Sequence, residues 1–285
     1  MQCYKALYEV LKLGRLHNLT IPCQLDLFDK MVKPVLLYGC ELWGYGNCDI
    51  IERVDLKFCK ILLHMKSSTP SFMVYGELGR YPLAIDIKIR MVSYWAKFMD
   101  SKQSKLSNIL YRLCLALSNI EGKNFIWLSS VKCILNECGL TYIWNTQTFQ
   151  NTEWLKLNIK QTLIDQFIQL WSSLIQNSPK ALNYRIFKEQ FETETYLHTL
   201  DDNCLFEFGK FGILNHKLPM KYGRWHNIAR NMRFCNLCNQ KEIGDECHYI
   251  SECKFFNSIR NNCIDTYCIK HPSAIKFGHL MKTTN

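Results

Sequence analysis

The sequence predicts a mainly α chain, an irregular helical bundle with a small cysteine-histidine knuckle near its C-terminus. Apolar residues recur three and four apart along most of the chain before Pro179, the period of helices with one buried face. Prolines and glycines are few, 7 and 13 in 285 residues, and they fall where such helices would start and stop. Cys235 and Cys238, followed by His248 and Cys253, have the spacing of a metal-holding turn.

Taken in order, Tyr4, Leu7, Val10 and Leu11 predict a first helix. Leu25, Leu27, Phe28, Met31 and Val32 predict a second, beyond a loop with Asn18 and Pro22. Pro34 interrupts that face, and Val35 to Trp43 continue it as a very apolar segment. Asp49 is placed to cap a helix running to about Met65, with Ile51, Val54, Phe58, Ile61, Leu62 and Met65 on one face. Arg53, Lys57 and Lys60 line its other face, as a solvated surface or as a ridge that tracks phosphates. Thr69-Pro70 opens a short helix that Gly76 or Gly79 ends. Tyr81-Pro82 opens the next, turning Leu83, Ile87, Met91, Tyr94, Trp95 and Phe98 inward.

Polar residues 101–107 predict an exposed turn or linker, and Leu106 to Leu117 a helix after it. Phe125 to Leu140 reads as helical with Gly139 as its stop, and Asn151-Thr152-Glu153 caps a helix from Trp154 to Gln176. Tyr184 to Tyr196 carries Phe187 and Phe191 at i, i+4. The expected organisation is a helical region 1–100, a helical connecting region 101–190 and a basic segment 191–285 that holds the knuckle at 235–253.

The character changes between Lys210 and Arg233. Lys210, Lys217, Lys221, Arg224, Arg230 and Arg233 fall there with two histidines and no acid, interleaved with Phe211, Tyr222 and Trp225. Cations neutralise phosphates and aromatic faces stack on unpaired bases, so this run is a candidate nucleic-acid surface, with Trp225 as the stacking residue. A solvated helix with ordinary core aromatics is the alternative.

The run leads directly into Cys235-x2-Cys238, His248 and Cys253. Three thiolates and one imidazole complete a tetrahedral set for zinc, and with every position held by protein such a zinc is structural. Cys247 adjoins His248 and is an alternative ligand, and Cys263 and Cys268 lie downstream. His248 is preferred because His-x4-Cys closes the zinc-knuckle pattern, with a Tyr-Ile pair packing beneath the metal. Cys247 is then expected to be a small buried apolar residue.

A net charge of +10 favours polyanionic partners. The fifteen cysteines would suggest disulfides in a secreted chain, but Met1 to Lys5 lead straight into an amphipathic helix with no signal peptide. No apolar run approaches the roughly 20 residues of a membrane span. Reduced thiols and an intracellular location, cytoplasm or nucleus, are the expectation.

Three blocks carry a family resemblance. Phe28 to Gly44 (FDKMVKPVLLYGCELWG), Ile51 to Lys60 (IERVDLKFCK) and Phe72 to Leu83 (FMVYGELGRYPL) resemble the thumb region of reverse transcriptases of non-LTR, LINE-type retrotransposons. Asn215 to Pro219, Gly223 to Trp225 and the segment from Cys235 to Cys253 resemble the cysteine-histidine knuckle of their C-terminal part. The similarity covers nearly the whole chain, least over residues 101–185.

That resemblance implies a polymerase, whose phosphoryl transfer needs carboxylates holding two metal ions. In the family these include an Asp pair preceded by an aromatic and one further residue, upstream of the thumb. The only Asp-Asp here is Asp201-Asp202, preceded by Thr199-Leu200 and downstream of the thumb-like blocks, and it reads as a polar turn or cap. Residues 1–45 read as starting after the palm. Asp265 is the sole acid among the 32 residues after Cys253, too few for a nuclease of the kind some relatives carry there.

The expected function is therefore a non-catalytic, nucleic-acid-binding fragment of such a reverse transcriptase, with RNA or DNA as partner and no membrane. One alternative is the C-terminal portion of an active enzyme whose palm lies upstream. Others are a helical interaction protein and a decayed element without a nucleic-acid role.

Overall fold

The computed structural model describes residues 2–46, 48–100, 105–120, 124–199, 204, 207–208, 211 and 216–282. The chain is mainly α. Among the described residues, β pairing is limited to two antiparallel bridges, Leu78 with Thr193 and Phe234 with Ile243.

Helices form where the apolar period places them. The first, Gln2–Leu16, buries Leu7, Val10 and Leu11, but Tyr4 at its start is 40% exposed. Asp49–Leu62 buries Val54, Phe58 and Leu62. It ends before Met65 because His64 takes a left-handed φ of 51°, letting Met65 N–H close onto the Lys60 carbonyl at 2.8 Å. The next helix, Ser71–Leu78, decides between the two glycine stops. Gly79 has φ +57°, while Gly76 lies inside the helix.

Leu83–Asp100 buries Leu83, Ile87, Met91 and Trp95, as its spacing predicts. Leu106–Ile120 and Ile126–Glu137 follow, and Gly139 at φ +72° ends the latter. In Thr152–Asn177 the expected cap is made by Asn151, whose side-chain oxygen accepts from Trp154 N–H at 2.7 Å.

The i, i+4 spacing of Phe187 and Phe191 does not become a shared helix face. Tyr184–Phe187 is a single turn, and Phe191 does not continue its face. Phe187 meets Tyr184 edge-on, whereas Phe191 meets Trp171 at 5.1 Å. The chain leaves the helix because residues 193–194 find other partners. Thr193 pairs with Leu78, and Glu194 N–H donates to the Glu77 carbonyl at 3.0 Å.

Contacts group the chain into two compact units: residues 1–19, 23–56 and 81–170, and residues 20–22, 57–80 and 171–285. They cut across the sequential regions 1–100, 101–190 and 191–285, since segment 57–80 packs with the residues after 171. The first unit has its core on Leu83–Asp100, with Leu37, Val131, Leu135, Ile143 and Ile159 fully buried around Trp95. Trp95 Nε1 donates to the Tyr111 hydroxyl at 2.9 Å. In the second unit, Trp171 Nε1 donates to the Phe72 carbonyl at 2.9 Å.

A charged group is buried in that second unit. Glu77 is 2% exposed and accepts from the Tyr196 hydroxyl. Burial, with Glu194 beside it, pushes the Glu77 carboxyl up to about 7 against the pull of Lys188, Tyr196 and Tyr184.

Candidate metal centre and cationic cleft

The knuckle is built from a short hairpin and one widened helical turn. Phe234 pairs with Ile243, and Cys235 N–H donates to the Glu242 carbonyl at 2.8 Å, setting Cys235 at the hairpin's end. Leu237 N–H then points back at Cys235 Sγ, 3.4 Å away, which folds the Cys-x2-Cys loop around a common point. Asp245 opens the second half, its carboxylate accepting from His248 N–H at 2.9 Å.

From His248 to Glu252 the chain makes a π turn, and Cys253 N–H reaches the His248 carbonyl at 2.7 Å. An α turn of 3.6 residues would swing a residue five positions on well past its partner. The wider i→i+5 closure keeps His248 and Cys253 on one side.

The ligand atoms of Cys235, Cys238, His248 and Cys253 all lie within 4.8 Å of one another. Cys235 and Cys253 sulfurs are 3.8 Å apart, and Cys238 Sγ is 3.4 Å from His248 Nε2. A tetrahedron with metal–sulfur bonds of about 2.3 Å places its sulfurs roughly 3.8 Å apart. His248 is 2% exposed, and its Nδ1 is buried without a hydrogen bond, 3.6 Å from the Glu252 carboxylate. A carboxylate behind the non-ligating nitrogen is the usual support of a metal-bound histidine.

Burial raises the Cys235 thiol, but hydrogen bonds from Tyr249, the Leu237 and Cys238 backbone and His248 outweigh it and hold the thiol near 6. The donor set therefore fits a thiophilic ion held by protein alone.

The arrangement selects His248 over Cys247. Neighbouring residues on a helical turn point about 100° apart, so only one of the two faces the sulfurs. Cys247 is half-buried rather than buried, and burial pushes its thiol up to about 11. Cys263 and Cys268 also lie outside the group. Tyr249 packs against Cys235 and Cys253, beneath the cluster.

Arg260 was not singled out by the sequence. It is 4% exposed and donates to the carbonyls of Ile250 at 2.6 Å and Cys253 at 2.7 Å, locking the turn that carries two ligands. One more basic residue near a cysteine gives no sequence signal for this.

The basic run divides by role. Lys210 lies outside the described residues. Lys217 and Arg230 are exposed. Arg233 turns inward, its guanidinium donating to the carbonyls of Ile228 at 2.7 Å and Met220 at 3.0 Å. It braces the helix Pro219–Trp225, whose Lys221, Arg224 and Trp225 line a cleft with Ser68, Thr69 and Lys180. Arg224 Nη2 donates to the Pro179 carbonyl at 3.1 Å, and Lys66 Nζ sits 4.7 Å above the Trp225 ring.

No described helix is long and apolar enough to cross a membrane. Fold and site together define a mainly α protein with a closed Cys3His group of potential metal ligands. Comparison with protein-family models, curated proteins and solved structures found no match.

Proposed function

We propose that this chain is a non-catalytic nucleic-acid-binding segment, related to the thumb and C-terminal knuckle of LINE-type reverse transcriptases, and stabilised by one structural zinc. The convergence of Cys235, Cys238, His248 and Cys253 within 4.8 Å carries the reading. Zinc suits three sulfurs and one imidazole better than hard cations do. When bound it cross-links the hairpin to the turn 248–253, and it leaves no open position for chemistry.

The knuckle in turn supports the basic helix. Gly244 O accepts from Met220 N–H at 3.1 Å, and Gly244 N–H donates to the Arg233 carbonyl at 2.9 Å. Lys221, Arg224 and Trp225 are thereby held as one group, with Lys217 and Arg230 exposed nearby in sequence. Cationic side chains set on phosphates release counterions, so affinity for RNA or DNA falls steeply with salt.

The test is zinc content of the purified protein together with RNA and DNA binding at low and high salt. One zinc per chain and a strongly salt-dependent affinity are expected. A metal-free folded protein that ignores both nucleic acids would overturn the proposal.

A further inference from the structure

We propose that the cleft between residues 68–70 and the helix Pro219–Trp225 is a phosphate site that takes one phosphate of a nucleic-acid strand, with the adjoining base against Trp225. The anion site stands on the geometry alone; the strand as the source of the phosphate rests on the function proposed above.

Charge carries the argument. Lys180, Lys221 and Arg224 line the cleft, and Lys66 stands over Trp225 at its edge. The one acid in the lining, Glu246, is already bonded by Asn183 and, at 2.5 Å, by His216. Leu218 N–H donates to His216 Nδ1 at 3.2 Å, so His216 Nε2 carries the proton that Glu246 accepts. Three lining cations, with Lys66 beside them over the Trp225 ring, thus share the cleft with one carboxylate that is bonded by Asn183 and His216. Their cost is visible at Lys221, whose ammonium is pushed down to about 8 by burial first and then by Lys66, Arg224 and Lys180, against the opposing pull of Glu246. An anion in the cleft removes that repulsion.

The donors and the size point to phosphate. Residues bearing a guanidinium, two ammonium groups and two hydroxyls (Arg224, Lys180, Lys221, Ser68 and Thr69) line it, the mixture that oxyanions of phosphorus take up. The cavity is about 150 Å³. That is below the roughly 300–1,000 Å³ of pockets that enclose whole small molecules. It holds a phosphoryl group, while the base stays outside. Trp225 is 52% exposed and offers that base an aromatic face.

The experiment uses the zinc-loaded full chain, inorganic phosphate, and 3′-labelled single-stranded 12-mers with either a 5′-phosphate or a 5′-hydroxyl. Lys180→Gln, Lys221→Gln and Arg224→Gln are compared with wild type and with Lys132→Gln, an exposed lysine on Ile126–Glu137. Each cleft variant is expected to weaken phosphate and oligonucleotide about tenfold. Lys132→Gln leaves both unchanged, and Trp225→Leu weakens only the oligonucleotide. Lys180 is exposed, so its variant reads binding without risk to folding.

A preference for the 5′-phosphate assigns the site to strand ends, and equal binding assigns it to internal phosphodiesters. Oligonucleotide binding by wild type that all three cleft variants retain would overturn the phosphate site and leave the nucleic-acid function standing. Phosphate bound at the cleft with no oligonucleotide affinity would overturn the strand as its source. Binding of neither ligand would overturn both.

Discussion

Glu246 and His248 stand two residues apart on one turn and serve different neighbourhoods: the Glu246 carboxylate lines the cationic cleft, while His248 Nε2 lies 3.4 Å from Cys238 Sγ. Asp245 accepts from His248 N–H at 2.9 Å and its neighbour Gly244 accepts from Met220 N–H at 3.1 Å, so adjacent residues tie the metal ligands and the basic helix to one backbone segment.

Loss of a metal ligand should therefore damage both. Structural zinc in small fingers contributes on the order of 10–16 kcal/mol to folding. Cys238→Ser or His248→Ala should abolish zinc binding, remove hydrogen-exchange protection from residues 216–282 and abolish oligonucleotide binding. The helix Leu83–Asp100, with its own core, should keep its protection. Equal protection of 216–282 in variant and wild type would refute the coupling.

Arg260→Met tests the brace behind the turn. The substitution keeps an unbranched apolar stem but removes the guanidinium, which leaves the buried carbonyls of Ile250 and Cys253 without their charged donor. Bonds to a charged donor are worth about 1.5–3 kcal/mol each, so a loss of about 3–6 kcal/mol is expected in denaturant unfolding. Zinc should also be surrendered to a chelator faster than in wild type.

Glu77 gives a pH dependence of defined sign. Its folded-state value of about 7 stands above the ordinary 4.5, so the folded protein holds that proton more tightly than the unfolded chain does. The contribution to stability is fully present below pH 4.5 and is lost as pH rises through 7. At about 1.4 kcal/mol per pH unit, the loss is about 3 kcal/mol. Glu77→Gln retains an acceptor for Tyr196 and cannot titrate, so its stability should vary less between pH 5 and 8. An unchanged slope in urea unfolding across that range would exclude Glu77 as the source.

Gly76 is held by packing rather than by its backbone angle. A Cβ there would lie 2.8 Å from the Tyr184 hydroxyl and 2.9 Å from Trp171 Nε1. Gly76→Ala should cost about 1–3 kcal/mol despite alanine's better helix propensity, because the two rings must move. Thermal unfolding measures it, and a variant as stable as wild type would show that the rings yield freely.

Much of the helical fold could be read from the chain, since a 3.6-residue apolar period and a Pro or Gly boundary are properties of neighbouring residues. Gly139, Asn151 and the inward face of Leu83–Asp100 belong to that class. So do the four members of the metal group, because a Cys-x2-Cys turn and a His-x4-Cys turn each bring two donors together within a few residues.

Contacts between distant segments were decided only by the tertiary structure. The sequence preferred His248 with Cys247 as the alternative ligand, and the Asp245-capped π turn brings His248 into the group and leaves Cys247 out. Arg233 looked like a phosphate contact in a basic run, yet the carbonyls of Ile228 and Met220 draw it inward. Lys66 and Lys180 carried no signal, because they meet Lys221 and Arg224 only when the chain folds. Local spacing specifies which groups share a turn, but burial and charge repulsion depend on what arrives from elsewhere in the chain.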